Sequence, residues 1–236
     1  MPYPLEKLQY GLRRRLRELT TRSEAYDLQI AAPNYYGFQP IQKIQTLQHA
    51  RFKINKNNRL KLLLKTDHYT RAKTNNLPLL YIVSEQLAFQ NFTPNHKFSL
   101  IPDNFRFAPK MLLLYDCLLD ETFIRSFLNA VNNPIQSIDL YPSSFTTENA
   151  AKMLCESTLF SALEEFTVQE PTYPSATWWI KAFVEAKCNS LKSFKVCNAL
   201  PHVLEIDKEV LCKFVKVNHW QSALNVKERK FVKMKL

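Results

Sequence analysis

Ile135-Gln136-Ser137-Ile138-Asp139-Leu140, Leu163-Glu164-Glu165-Phe166-Thr167-Val168 and Leu191-Lys192-Ser193-Phe194-Lys195-Val196 are three copies of one short pattern, apolar-x-x-apolar-x-apolar. Each copy begins 28 residues after the one before, and a weaker copy at Pro109, Leu112 and Leu114 sits 26 residues ahead of the first. The last two apolar residues of each copy are two apart, the period at which side chains return to the same face of a strand. Between the copies the period changes. Phe123, Phe127 and Val131, then Ala150, Met153 and Leu154, then Trp179, Phe183 and Val184 recur at the spacings of an apolar helix face. Parallel strands need helical crossovers, and the spacing supplies them. The strands beginning near Ile135, Leu163 and Leu191 are therefore expected side by side and parallel, with their helices on one side of the sheet.

Two arrangements fit this alternation. In one, each strand-helix unit stacks on the next to bury a face that it cannot bury alone, which makes a solenoid. In the other, the units are ordinary α/β structure without true repeats. The 28-residue unit resembles the ribonuclease-inhibitor type of leucine-rich repeat, over roughly 90 residues and with degenerate motifs. The Asn/Cys position that stitches adjacent turns in that family is matched by Cys117, its equivalents here being Ser143, Pro171 and Ala199. The resemblance implies a short leucine-rich-repeat-like solenoid over residues 109–236, ending in a basic C-terminal cap.

Ahead of it, residues 49–108 read as a β-rich region. Phe52 and Ile54 alternate with Lys53 and Asn55, then Leu60, Leu62 and Leu64 follow across a Lys56-Asn57-Asn58 turn, which predicts a β-hairpin with a lysine-rich outer face. Residues 77–83, 87–92 and 98–101 are further short strand candidates. Residues 1–48 read as two short helices and a connection. Leu5, Leu8, Leu12, Leu16 and Leu19 recur at spacings of three and four. Thr21 followed by Glu24 is a capping-box signature, placing a second helix from Arg22 to about Ala32, where Pro33 ends it.

Pro4-Leu5-Glu6-x-Leu8, then Leu12 and Leu16, then a second helix around Tyr26-x-Leu28, resembles the start of an F-box. With a basic hairpin and degenerate leucine-rich repeats behind it, the chain looks like the divergent F-box-related families expanded in nematodes. That resemblance implies a fold of class α/β in which F-box-like helices and a β-hairpin region precede the solenoid. It also implies a protein-binding adaptor, the substrate-recognition subunit of a cullin-type ubiquitin ligase, with a Skp-family adaptor and a protein substrate as partners. Leu5, Leu8, Leu12 and Leu16 would match the family's adaptor-facing and core helix positions. The residues themselves leave a second reading open, in which these leucines pack on the hairpin and cap the solenoid.

Composition narrows the chemistry. The 236 residues hold two glycines, Gly11 and Gly37, whereas phosphate-cradling loops need several, so nucleotide enzymes of the P-loop and Rossmann types are excluded. Five cysteines, an odd number with no C-x-x-C pair, suggest reduced thiols rather than disulfides or zinc. The five histidines form no metal-ligand spacing, and no nucleophile elbow is present. No enzyme, cofactor or metal is expected. Residues 1–15 lack a signal-peptide apolar region and no apolar run approaches a membrane span, which points to the cytoplasm or nucleus.

The net charge of +11 is uneven: residues 1–75 hold fifteen basic against five acidic side chains, 76–207 nine against fourteen, and 208–236 eight against two. A nucleic-acid-binding module using the basic ends is the alternative from another class, with Phe52, His68 and Tyr69 interleaved among the cations of 51–73. A lysine-rich solvated hairpin face is also what edge protection requires. Tyr141, Tyr173 and Trp178 are the candidate partner-binding aromatics, because exposed aromatics are enriched at binding hot spots. Trp178 and Trp179 could equally both be buried between helix and sheet.

Overall fold

The computed structural model describes residues 5–65, 79–101, 103–186, 188–198, 224–225 and 231–235. The N-terminal pair of helices is α1 (Tyr10–Leu19) and α2 (Arg22–Ala31). The capping box forms as expected: Thr21 Oγ1 accepts from Glu24 N and the Glu24 carboxylate accepts from Thr21 N at 2.8 Å. The hairpin also forms. Strands β1 (Lys43–Ile54) and β2 (Leu60–Lys65) pair antiparallel, Phe52 opposite Leu62. The turn closes on Asn55, whose side chain accepts from Asn57 N and Arg59 N at 2.9 Å, with Asn58 at φ 53°.

Strand β3 (Leu79–Gln90) takes in both of the separate strands expected around 77–83 and 87–92, and it pairs parallel with β1. The third candidate, at 98–101, is a single 3-10 turn at Phe98–Leu100, and the short strand in this region is β4 (Phe105–Phe107). There follow β5 (Met111–Tyr115), β6 (Leu118–Leu119), α3 (Glu121–Ala130), β7 (Ser137–Tyr141), β8 (Ser144–Phe145) and α4 (Glu148–Glu156). The chain continues through β9 (Glu165–Gln169), α5 (Ala176–Glu185), β10 (Ser193–Cys197), β11 (Leu224–Asn225) and β12 (Phe231–Lys235). The sheet order is β11-β12-β10-β9-β7-β5-β3-β1-β2, with β4 on β3; β6 and β8 form a small separate ladder.

The three patterned strands are neighbours and parallel, with Ile138, Phe166 and Phe194 in one row and Leu140, Val168 and Val196 in another. The crossover helices share one side: Phe123 and Phe127 of α3, between β5 and β7, pack on Phe89, Trp179 and Phe183 of α5, between β9 and β10, pack on Phe166, and Ala150 and Leu154 of α4, between β7 and β9, belong to the same core.

The architecture around them is nevertheless not the leucine-rich-repeat solenoid. It is an α/β fold on one mixed, mostly parallel sheet. β1 and β3 are each 12 residues long against five for β5, run parallel to it, and continue the same sheet. Antiparallel β2 and β12 complete the mix. Leu80, Tyr81, Val83, Leu87, Ala88 and Phe89 are buried on both faces of β3, as in an interior strand. An interior strand beside β5 leaves no boundary where a separate solenoid would begin, so the ordinary α/β alternation is what the 28-residue period encodes. The basic cap expected over 208–236 falls largely outside the described residues. One apolar core runs through the whole, from Leu47 on β1 to Val196 on β10.

Candidate functional site

The side of the sheet away from α3, α4 and α5 carries α2 at one end, where Arg106 of β4 pairs with Asp27 and lies over the Tyr26 ring. Beyond α2 no described helix covers it. Register decides which side chains share this open face, because residues directly opposite one another in a ladder point the same way. One row reads Lys53, Gln90, Tyr115 and Tyr141; the next reads Arg51, Ala88, Leu113, Asp139, Thr167 and Lys195.

Arg51, Tyr115, Tyr141 and Asp139 form a polar-aromatic cluster here, beside Ala88, Leu113 and Thr167, which are buried. The rings of Tyr115 and Tyr141 stack with centroids 5.1 Å apart and planes 9° from parallel. From β1, the Arg51 guanidinium lies 5.0 Å over the Tyr115 ring, a cation–π contact. The Tyr141 hydroxyl donates to Asp139 at 3.3 Å. Burial, with the Asp139 carboxylate adding to it, pushes the Tyr141 phenol up to about 12. Lys195 donates to Glu165 at 3.1 Å two strands on.

Of the aromatics singled out in the sequence, Tyr141 belongs to this cluster. Tyr173 is exposed in the loop after β9, its backbone accepting from Phe145 N and donating to Ser144 Oγ. Trp178 is on α5 in the opposite layer, half-buried against Trp179, which is fully buried. The structure therefore does not bring the three together. It brings Tyr141 together with Arg51, Tyr115 and Asp139, which sequence reading passed over. A signal for Tyr115 existed: it follows Leu114 as Tyr141 follows Leu140, so the repeat spacing sets the two rings in register.

The leucine stripe is split. Leu5 lies in a 3-10 turn (Leu5–Lys7) and Leu8 in the bend before α1, so neither shares a helix with Leu12 and Leu16. Leu5, Leu8 and Leu16 are half-buried, whereas Tyr10 and Leu12 are each 56% exposed and Leu19 is 69% exposed. No residue of α1 is buried. The helix is held from one side by the loop after α2, where Arg17 donates to Pro40 O and Gly37, at φ +105°, lies so close that a Cβ would meet Arg13 Cβ at 3.0 Å.

Where chemistry was sought, the described cysteines are all pushed the wrong way for a nucleophile, which must reach the thiolate. Burial raises Cys117 to about 12 and raises Cys155, Cys188 and Cys197 as well. No cluster of metal-ligating side chains occurs among the described residues. No described helix is long and apolar enough to cross a membrane. Cys117 Sγ is within hydrogen-bonding reach of Tyr115 O and Phe89 O, and Ser143 Oγ accepts from Cys117 N at 3.0 Å; with no solenoid these bonds join neighbouring parts of one sheet rather than stacked repeat turns. The chain matches no protein-family model and no curated protein.

Proposed function

We propose that this chain is a non-catalytic protein-binding adaptor and that α1 is where it docks on its partner machinery. The observation that carries the reading is the bare apolar side of α1: a helix that buries none of its residues while leaving Tyr10, Leu12 and Leu19 in water. Covering the exposed part of one such leucine contributes about 1–2 kcal/mol, which favours a partner that covers several. Arg14 and Arg15, exposed on the same helix and sharing the single carboxylate of Glu18, favour an acidic partner surface. The resemblance of the segment to an F-box names a class of partner, a Skp-family adaptor of a cullin-type ubiquitin ligase, and assigns the rest of the chain to holding a protein substrate. Such an adaptor works in the cytoplasm or nucleus and performs no covalent step itself.

Leu12→Asp tests the reading. An exposed apolar position tolerates a charge until a partner must bury it. The variant is expected to melt at the wild-type temperature while losing co-precipitation of a Skp-family adaptor that wild-type protein captures. Failure of the wild-type chain to capture that adaptor removes the ligase role.

A further inference from the structure

We infer that the β2–β1–β3 end of the open sheet face is a docking groove for a short, extended, acidic peptide of a protein partner; this rests on the protein-binding reading and names a ligand for a second surface, distinct from α1. The ladder places Lys61 opposite Lys53, Leu63 opposite Arg51 and Lys65 opposite His49, all on the face turned away from the core. Like charges directly opposite one another destabilise a strand pair. Among the described residues no carboxylate pairs with Arg51, Lys53, Lys61 or Lys65, although lysines elsewhere, such as Lys110 with Glu85, do find one.

Of these cations, Arg51 and Lys65 line a groove of about 530 Å³ together with His49, Leu63, Gln86 and Ala88, and the Lys53–Lys61 pair continues the same face two residues further along the strands. Its floor is partly apolar, with Leu63 39% exposed. Cations along the rim and an apolar patch together fit a peptide that offers carboxylates, one apolar side chain and its own backbone. From His49 to Lys53 the strand rises about 13 Å, room for roughly four extended residues.

A nucleic acid fits the face less well. Tyr115 has Arg51 on one side and Tyr141 on the other, so its ring is not offered to a base. Further along, Asp139 places negative charge in the path of a polyanion.

The experiment uses the full chain and a fluorescein-labelled short peptide of alternating Glu and Val, with the Lys-for-Glu version and an oligothymidylate as comparison probes, read by fluorescence anisotropy at low and at physiological salt. Saturable binding of the acidic peptide is expected, weakened by salt and absent for the lysine version. The double variant Lys53→Ala/Lys61→Ala should bind about tenfold more weakly, the factor that two ion pairs of ordinary surface strength supply together. It should melt no lower than wild type, since it also removes a repulsive pair, so a loss of binding cannot be assigned to unfolding. Lys152→Ala, on α4 in the opposite layer, should change nothing. No saturable binding, binding indifferent to the double substitution, or tighter binding of oligothymidylate than of the acidic peptide overturns the proposal. Leu12→Asp separates this from the docking of α1: peptide binding kept with adaptor capture lost supports two independent surfaces, while adaptor capture without any peptide binding refutes the groove and leaves α1 standing.

Discussion

Tyr141 shows how a single position can be chosen correctly from sequence and still be understood only in place. As an aromatic beside a patterned strand it was a hot-spot candidate; in the sheet it is half of a stacked pair, bound to Asp139 through its hydroxyl and set apart from Tyr173 and Trp178. Its phenol is raised from 10.0 to about 12, by burial first and by Asp139 second. The folded protein therefore keeps a proton that the unfolded chain gives up from about pH 10. The stability this contributes is fully present below that pH and is lost as pH rises toward 12. A near-ultraviolet phenolate titration of wild type minus that of Tyr141→Phe should isolate a midpoint near 12. Asp139→Asn should move that midpoint part of the way down, because burial remains. An unchanged midpoint would mean that Asp139 does not act on the ring.

At the scale of elements, the helices obey local rules closely. Asp120, Thr147 and Ser175 cap α3, α4 and α5, each accepting from the backbone N–H three residues on. Thr147 does more, since its hydroxyl donates to Glu121 Oε1 in the first turn of α3 at 3.1 Å and so ties two neighbouring crossovers. Thr147→Ala should cost about 0.5–2 kcal/mol in chemical denaturation, the range of a lost N-cap. Thr147→Ser should keep both bonds and most of the stability. The strands obeyed local rules less well. β3 reads as two apolar runs broken by Ser84-Glu85-Gln86, yet the ladder carries it through, with a register shift between Leu47 and His49 on β1. Phe98 opens the short apolar run 98–101 that reads as a strand; it instead turns back in a 3-10 segment and packs its ring on Phe89, Phe107, Phe123 and Phe127.

For the whole molecule, Phe89 is the joint between the hairpin half and the crossover half. Wholly buried on β3, it meets Phe52 of β1 as well as Phe123 and Phe127 of α3. Such shared packing makes the described sheet one cooperative unit. Calorimetry is expected to show a single unfolding transition, and Phe89→Ala should lower stability by about 3–5 kcal/mol, a large part of a typical total of roughly 5–15 kcal/mol. Two separate transitions in the wild-type chain would contradict this. A single core also explains why the repeat-like period did not produce a solenoid: a stack grows only by adding like units, whereas here the next strands along, β3 and β1, are longer and unlike.

Patterns that act over a few residues were legible in the chain alone. The 28-residue alternation, the Thr21–Glu24 capping box, the Asn-rich hairpin turn and the parallel neighbours at Ile138, Phe166 and Phe194 all depend on spacings that a strand or helix imposes on its own side chains. What the alternation belongs to was decided elsewhere. Local periodicity cannot say whether β5 begins a stack or continues a sheet, because that depends on β3 finding β5 as its neighbour, a pairing between distant segments whose energy lies in shared burial. The open face follows the same logic. Arg51, Tyr115 and Asp139 lie up to 88 positions apart and carry no common motif. Only strand order and register lay them side by side, and only burial on the other face turns them outward.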